Sequence, residues 1–416
     1  MSSKPTAIIL CDYWYPYISA NSVCVQAILS ALERIYNVIV IAADEPVENV
    51  ASNVKFLSVG DIGINSALKR VKRSQFLTRF LKLSYKPIAA MNIFRFPIRS
   101  LRWAHRYAKK AASVFESNNV RLVLAVSYPA EAVLAAKFLK RRYPDVTAIG
   151  WFLDATAVGV LQKNAVCKKI SSASAVRYET DAGKELDGMM YLTSASPLAK
   201  SIHGENNPKL AFADPPLLSR NTVRFTWNPR EGKVISILYT GTLYNPDRNP
   251  TRFVEGMREY CQEGRVTISF AGNDGEILRD LATSVPNVHR LGVLSLEECN
   301  KAIEDADILL SIGNRSPYLV PSKLFKYMST GKPIIHLSRG QKDSCLPFLK
   351  KYPLALVLSE EHADIIAEFS AFIQKLEALS GTEIDLSGIY PAAFPNYTVE
   401  LIQTLQEKHF HERTFK

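Results

Sequence analysis

The first half of the chain alternates between short apolar runs and segments whose apolar residues recur at the spacing of a helix. The apolar runs predict buried parallel strands at residues 7–11, 38–42, 54–57, 122–126, 148–153 and 189–193. Helical periodicity covers residues 23–36, 101–117 and 131–142. This alternation predicts βαβ units that form a doubly wound sheet.

A second alternation of the same kind follows a segment without periodicity. Its strands are predicted at residues 235–240, 266–271, 288–291, 308–312, 334–335 and 355–358, and its helices at 249–261, 276–283, 296–302 and 361–379. We predict an N-terminal Rossmann-like domain over residues 1–211, an interdomain linker over 212–232, a C-terminal Rossmann-like domain over 233–395, and a helix and tail over 396–416. In such α/β folds ligands bind beyond the carboxyl ends of the strands, so we expect the two domains to face a central cleft.

The composition fits a soluble protein with two sizeable cores. The 416 residues are 47% apolar and 22% charged, which is ordinary for globular domains. No apolar run approaches the ~18 residues that a membrane-spanning helix needs. The six cysteines are scattered without a CxxC pair, which favours reduced, mostly buried thiols in a cytoplasmic protein over a disulfide or zinc framework.

The net charge of +11 is concentrated in a predicted insertion at residues 62–98 and in the helix that follows it. Residues 62–115 contain no Asp or Glu, and their cations are interleaved with apolar side chains: Lys69, Arg70, Lys72, Arg73, Arg79, Lys82, Lys86, Arg95, Arg99, Arg102, Arg106, Lys109 and Lys110. Such a segment suits an anionic membrane surface, although helices with a solvated basic face would show the same composition. Nucleic acid is disfavoured because no nucleic-acid-binding module accompanies the charge. We therefore expect a cytoplasmic protein that is peripheral to the inner face of the membrane.

The segment at residues 321–336, PSKLFKYMSTGKPIIH, predicts a loop, a short helix, a turn and a strand. Ser322 is a suitable N-cap because its side-chain oxygen can accept a hydrogen bond from the first helical turn. A helix that begins beyond the carboxyl end of a strand favours an anion such as phosphate, and Lys323 adds a full positive charge there. The alternative is an ordinary αβ unit in which Lys323 is solvated.

Three loops of the C-terminal half are expected to converge at one edge of its sheet. The first contains Gly241 and Thr242 and ends in Arg248, whose guanidinium can bind phosphate. The second contains Gly272 and Asn273, and the third is the helix start just described. Glycine-containing turns between strand and helix are common, but three of them with two cations indicate a nucleoside-diphosphate site.

Five strings of the C-terminal half together resemble the donor-binding domain of GT-B glycosyltransferases, of the large bacterial class (group 1, family 4-like) that mostly retains anomeric configuration. They are ILYTGTL, ISFAGNDGE, VHRLGVLSLEE, ADILLSI and PSKLFKYMSTGKPII, in that order. The N-terminal half matches only in outline, through DYWYPYISANS and WFLDATA, and corresponds to the acceptor side. The resemblance implies a sugar transferase that binds a nucleotide-sugar mainly through its second domain.

The resemblance also implies roles for donor-side residues. Arg248 corresponds to the residue that neutralises the donor diphosphate, and Ser322 and Lys323 to the helix start that also faces it. Fixed cations there lower the barrier to departure of the diphosphate without a metal. We therefore expect no metal and no cofactor, with Arg248 and Lys323 acting in catalysis. The backbone that contacts the base in the family corresponds to Gly292, Val293 and Leu294.

One departure from the family concerns two positions that are commonly Glu, the second of which holds the donor ribose. Here they are Tyr318 and Lys326. Lysine cannot accept hydrogen bonds from ribose hydroxyls as a carboxylate does. Either the donor is held differently, with Lys326 adding charge near the phosphates, or the chain is a catalytically silent homologue.

On the acceptor side, Asp154 in WFLDATA follows a predicted strand. It could orient the acceptor or act as a catalytic base, or equally cap the segment that follows. The aromatic loop that contains Tyr13, Trp14 and Tyr15, with Asn21 after it, could line an acceptor groove. Its rings could equally be packing residues at a hinge.

These observations predict a metal-independent, retaining glycosyltransferase. It would transfer a sugar from a nucleoside-diphosphate donor to a lipid-linked or polysaccharide acceptor in cell-surface polysaccharide synthesis, of capsule or lipopolysaccharide. The alternatives are a silent homologue that acts as a binding subunit and a nucleotide-sugar epimerase. An epimerase can share the two-domain fold but needs acid and base residues that the sequence does not show.

Overall fold

The computed structural model describes residues 4–14, 19–43, 54–60, 92–157, 165–227, 234–244, 248–273, 277–359 and 364–414. The chain divides into two compact units. Unit 1 is Met1–Pro216 together with Pro395–Lys416, and unit 2 is Leu217–Phe394. Each unit is built around one parallel sheet, as the alternating patterns predict. Most of the predicted insertion at 62–98 lies outside the described residues.

Unit 1 has a parallel sheet of seven strands in the order β3-β2-β1-β4-β5-β6-β7. The strands are β1 (Thr6–Leu10), β2 (Asn37–Ala42), β3 (Lys55–Ser58), β4 (Val120–Ser127), β5 (Thr147–Phe152), β6 (Gly188–Leu192) and β7 (Leu210–Ala213). The helices are α1 (Ala20–Leu32), α2 (Leu101–Phe115), α3 (Ala130–Arg142), α4 (Ala165–Glu185) and α5 (Ser196–His203), with 3₁₀ helices at Asn92–Arg95 and Thr193–Ala195. The central strands are buried on both faces, which is why they read as continuous apolar runs.

Unit 2 has a parallel sheet of six strands in the order β11-β10-β9-β12-β13-β14. Its strands are β8 (Thr222–Arg224), β9 (Ile235–Thr240), β10 (Val266–Ala271), β11 (Val288–Gly292), β12 (Ile308–Ile312), β13 (Ile334–Leu337), β14 (Ala355–Leu358) and β15 (Glu383–Asp385), of which β8 and β15 form a separate antiparallel pair. Its helices are α6 (Thr251–Gly256), α7 (Arg258–Gln262), α8 (Ile277–Ser284), α9 (Leu296–Asp305), α10 (Lys323–Met328), α11 (Leu346–Leu349), α12 (Ile365–Leu379) and α13 (Leu386–Ile389), with a 3₁₀ helix at Pro391–Ala393. The last helix, α14 (Pro395–Thr414), belongs to unit 1. No helix in the described part of the chain is long and apolar enough to cross a membrane.

The strand order reverses once in each sheet, between β1 and β4 in unit 1 and between β9 and β12 in unit 2. At such a switch point the neighbouring connections leave to opposite faces. They open a crevice beyond the carboxyl ends of the strands, where doubly wound folds bind ligands. The loops after β1 and β9, which the sequence singles out, begin at these two crevices.

The structure differs from the sequence prediction at three boundaries. Residues 212–232, predicted as a linker, include the end of β7 and all of β8, a strand too short to show a periodic pattern. The helix predicted at 249–261 is two short helices that meet at Met257. The predicted C-terminal helix is part of unit 1, where Gln406 accepts a hydrogen bond from the Tyr36 hydroxyl.

Candidate functional site

Helix α10 is fixed at the end of β9 by its buried side. The Tyr327 hydroxyl is buried, lies 2.8 Å from Thr240 Oγ1 and accepts a hydrogen bond from the Thr240 N–H (3.1 Å). Ser322 is not the N-cap that the sequence predicts, because its backbone is already helical (φ −55°, ψ −32°) and its side chain makes no capping bond. The Leu324 N–H donates to the Pro321 carbonyl instead, at 3.0 Å. The start of α10 therefore brings Lys323, and not a capping serine, to the end of β9.

Lys323 lies at the switch point of unit 2. Its Nζ donates to the Thr240 carbonyl at 2.8 Å and lies 3.8 Å from the centre of the Tyr239 ring. Burial, and after it the charge of Arg248, hold the pKa of Lys323 well below its ordinary value. The two positive charges are thus close enough to repel each other.

Arg248 reaches the same place from the loop after β9. Its Nη2 lies 3.4 Å from Asn314 Oδ1, and its guanidinium lies 5.4 Å from the centre of the Tyr244 ring. Its Nε is buried without a hydrogen-bond partner among the described residues. Within that part of the chain neither Arg248 nor Lys323 forms an ion pair with a carboxylate. Two adjacent cations without a counter-charge are costly, and an anionic ligand would relieve that cost.

The predicted glycine loops also meet at this edge of the sheet. Backbone hydrogen bonds join them: Gly241 N–H to Ala271 O (2.8 Å), Leu243 N–H to Asn273 O (2.8 Å) and Gly272 N–H to Gly292 O (2.6 Å). A Cβ at Gly272 would lie 2.3 Å from the Gly241 carbonyl oxygen, so this approach requires glycine. Thr242 and Asn273 are exposed beside these bonds. The structure brings the three loops together with Arg248 and Lys323.

The residues predicted to contact the base follow this junction. Val293 is 81% exposed, whereas Leu294 packs partly buried against the core. Gly292 accepts the backbone bond that ties it to the loop after β10. Their contact with a base stays a prediction.

Lys326 is engaged with another part of unit 2. Its Nζ donates to Asn300 Oδ1 on α9 at 2.6 Å. Tyr318 is half-buried in the loop after β12, where its N–H lies 3.4 Å from Ser316 Oγ. The roles of Tyr318 and Lys326 toward a donor stay predictions.

In unit 1 the carboxyl ends of β1, β4 and β5 bring together four polar residues: Asp12, Asn21, Tyr128 and Asp154. Ser19 Oγ donates to Asp12 Oδ1 at 2.8 Å, and Asn21 Nδ2 donates to the Tyr128 carbonyl at 3.1 Å. Burial raises the pKa of Asp12 to about 6, and the nearby Asp154 carboxylate adds to the rise. The hydrogen bond from Ser19 acts in the opposite direction and lowers the pKa. Asp12 begins the aromatic loop that the sequence singles out, but it was not predicted as a site residue, although it directly follows the first buried strand.

The aromatic loop after β1 does not line a groove through Trp14. The Trp14 side chain is fully buried and its ring centre lies 5.1 Å from that of Phe56, so it is a core residue. Tyr13 is half-buried. Asn21 is buried with its amide bonded to backbone, and Tyr15 lies outside the described residues.

Glu179 supports the loop that carries Asp154, and no pattern in the sequence singles it out. Its buried carboxylate accepts hydrogen bonds from the Thr156 hydroxyl, from the Ala157 N–H (3.1 Å) and from the Tyr191 hydroxyl (3.0 Å). It lies on α4, whose small and polar residues show no clear helical periodicity. A periodic pattern is the signal that would have located this helix.

A basic surface extends over the 3₁₀ helix at Asn92–Arg95 and over α2 and α4. The apolar side of α2 packs inward, with Tyr107 donating to the Cys11 carbonyl at 2.6 Å. Ser174 on α4 donates to the Phe94 carbonyl at 3.0 Å, which joins the two segments. Residues 92–115 and 165–178 contain no Asp or Glu. The exposed cations are Arg95, Arg99, Arg102, Arg106, Lys109, Lys110, Lys168, Lys169 and Arg177.

Large apolar side chains are exposed within this basic surface. Phe94 is 71% exposed and Val166 is 67% exposed, and Leu101 and Val176 are also exposed. Cations around protruding apolar groups are the combination that binds an anionic membrane surface. The basic surface therefore exposes both cations and apolar side chains, although α2 keeps most of its apolar residues inside the unit. Its binding to a membrane stays a prediction.

The fold is that of the GT-B glycosyltransferases. A lipopolysaccharide outer core galactosyltransferase, WaaB, superposes with a TM-score of 0.56 at 12% identity, over 96% of this chain and 99% of that one. Sucrose-phosphate synthase from Thermosynechococcus elongatus gives 0.59 at 10% identity, over 99% of both chains. HepE from Anabaena in complex with UDP gives 0.56 at 11% identity, over 96% of this chain and 99% of that one. No protein-family model and no curated protein sequence matches the chain.

Proposed function

We propose that this protein is a glycosyltransferase that takes a sugar from a nucleoside-diphosphate donor bound in unit 2. The observation that carries the proposal is the pair of cations Arg248 and Lys323, adjacent and without a carboxylate partner in the described chain, at the switch point of a GT-B fold. A departing nucleoside diphosphate gains negative charge, and fixed cations stabilise it without reorganisation. We propose that this makes the reaction independent of metal ions. Retention of configuration follows the habit of the class that the sequence resembles.

The proposed acceptor is a lipid-linked or growing polysaccharide at the inner face of the membrane. The basic surface of unit 1, with Phe94 and Val166 exposed within it, supports an anionic bilayer as the partner. Asp154 is the proposed acceptor-side catalytic group, with Asp12 beside it. The lipopolysaccharide galactosyltransferase among the structural neighbours agrees with a cell-surface acceptor but shares only the fold.

A silent homologue is the second candidate, and Lys326 favours it. A lysine bonded to Asn300 occupies the position where the family resemblance expects a carboxylate for ribose. Such a protein would bind the nucleoside diphosphate and transfer nothing. An epimerase would convert one nucleotide-sugar into another without releasing nucleoside diphosphate.

Incubation with a panel of nucleotide-sugars and a membrane-lipid extract distinguishes these candidates. We expect nucleoside diphosphate to be released from one donor, faster with extract than without it. Asp154→Asn should lower the release by about 10²-fold or more, on the scale of general acid–base catalysis, and leave nucleotide binding unchanged. Binding without release from any donor would support the silent homologue, and interconversion of donors would support the epimerase.

A further inference from the structure

A buried pair of side chains lies behind the donor site. His336 on β13 is fully buried, with Nδ1 3.1 Å from Ser311 Oγ and Nε2 3.1 Å from Asp343 Oδ2. The Asp343 side chain is fully buried as well. Burying an ionisable pair costs desolvation energy that apolar residues would avoid. The pair therefore calls for a role beyond filling the core.

Asp343 organises the turn that follows β13. Its Oδ2 also accepts the Arg339 N–H (3.1 Å), and its Oδ1 accepts the Cys345 N–H (3.0 Å). Burial would raise the pKa of Asp343, but the bond from His336 and these backbone bonds outweigh it and lower the pKa. A Cβ at Gly313 would lie 1.7 Å from Asp343 Oδ2, so the carboxylate fits only against a glycine. The turn is thus held by a charged acceptor in one conformation.

This turn carries Arg339 to the segment that follows β9. Arg339 Nη2 donates to the Asn249 carbonyl at 2.6 Å, next in sequence to Arg248. Burial raises the pKa of the Tyr239 hydroxyl to about 12. The positive charges of Arg248 and Arg339 oppose this rise. Lys323 lies over the ring of the same tyrosine. Lys323 thus lies on the ring of Tyr239, while the charges of Arg248 and Arg339, which come from two other loops, act on its hydroxyl.

We propose that Arg339 is a third cation of the donor site, and that His336 and Asp343 are positioning residues that hold it there. The inference rests on the proposed function and adds a specificity to it. Lys323 and Arg248 can hold one phosphoryl group, and the charge of Arg339 would bind a second. The site would then select a diphosphate over a monophosphate.

A metal site is the other reading of this cluster. Ligand atoms of His336, Asp343 and Cys345 lie within 4.8 Å of one another, and these residue types bind zinc. However, both Asp343 oxygens already accept hydrogen bonds. The charges of Lys323 and Arg248 also act on Cys345, which disfavours a further cation. We therefore favour the positioning role.

Titration calorimetry with inorganic pyrophosphate and with orthophosphate tests the inference. We expect Arg339→Gln to weaken pyrophosphate about tenfold and orthophosphate less than about twofold, since a charged hydrogen bond is lost only for the second phosphoryl group. Arg339→Lys should recover part of the loss. Arg258→Gln, which removes a charge paired with Glu255 on the surface of unit 2, is the control and should change neither affinity.

The positioning role is tested by the same ratio of affinities. Asp343→Asn, or His336→Gln if the first variant does not fold, should reproduce the selective loss of pyrophosphate. If His336 and Asp343 are purely structural, these variants should have a lower melting temperature and an unchanged ratio of pyrophosphate to orthophosphate affinity. If the unaltered protein binds pyrophosphate and the Arg339→Gln variant binds it equally well, the assignment of Arg339 as a third cation of the donor site is wrong. If the unaltered protein binds neither pyrophosphate nor any nucleoside diphosphate, the proposed function fails with it.

Discussion

Replacing Lys323 with methionine is expected to weaken nucleoside-diphosphate binding by about 1–3 kcal/mol, the scale of a lost charged hydrogen bond. The same change should not lower the stability of the free protein. The folded-state pKa of Lys323 is depressed. The lysine therefore destabilises the fold at pH values below the ordinary pKa of a lysine in the unfolded chain, and most strongly below the depressed pKa, and methionine removes this cost. The Lys323→Met variant should therefore bind nucleoside diphosphate more weakly without becoming less stable.

The pH dependence provides a second readout of the same residue. Because an anion binds the charged form of Lys323 better, affinity should fall as pH rises through the depressed pKa of Lys323, and binding should take up protons. The Lys323→Met variant should lack this dependence. Calorimetry in buffers of different ionisation enthalpy measures the uptake directly. Arg248→Ala should weaken binding to a similar extent, because it removes the second cation.

Lys301→Met is the matched control, since Lys301 is an exposed lysine on α9 of the same unit. It should change neither affinity nor its pH dependence. Unchanged affinity in both Lys323→Met and Arg248→Ala would mean that the phosphates do not bind at the end of β9.

Neutralising four cations of the basic surface should abolish sedimentation with anionic vesicles. Each Lys or Arg near such a surface contributes about 1 kcal/mol, so four changes to Gln amount to about 4 kcal/mol, or roughly a thousandfold in partitioning. The variant combines Arg95, Arg102, Lys168 and Lys169, all exposed. Vesicles containing phosphatidylglycerol are compared with vesicles of phosphatidylcholine alone.

The control variant loses the same number of positive charges outside the basic surface. It replaces four other exposed cations with Gln: Arg121, Lys301, Lys350 and Lys351. It should sediment as the unaltered protein does. Equal sedimentation of the basic-surface variant and this control would instead show that the surface is an ordinary solvated face. Loss of sedimentation in both variants would show that vesicle binding depends on net charge alone, which would contradict a defined docking surface.

The parallel strands could be predicted because they are buried on both faces and leave continuous apolar runs in the sequence. Helix α4 could not, because its buried contacts use small residues and the buried Glu179, which break the periodic pattern. Strand β8 is too short to show an alternation and is fixed by pairing with β15, distant in sequence.

Arg248 and Lys323 of the proposed donor site could be singled out from the sequence, since they lie in loops that follow apolar runs. The closeness of these two cations, and the contact of Arg339 with the segment beside Arg248, depend on tertiary contacts. The Asp343 carboxylate shapes the turn of Arg339 only because Gly313, from the neighbouring strand end, leaves room for it. The sequence leaves open whether Trp14 lines an acceptor groove or packs inside the protein, because exposed and buried aromatic residues look alike in sequence. The structure makes it a core residue.

The central claim is that unit 2 binds a nucleoside diphosphate at Arg248 and Lys323. A thermal-shift screen against UDP, GDP, ADP, dTDP, CDP and CMP tests it most directly, with Lys323→Met measured beside the unaltered protein. A ligand at a hundred times its dissociation constant adds about 2.7 kcal/mol, which should raise the melting temperature by about a degree or more. We expect one diphosphate to give the largest shift, CMP to give little, and Lys323→Met to lose the shift. No shift with any nucleotide, or an equal shift in Lys323→Met, would contradict the account.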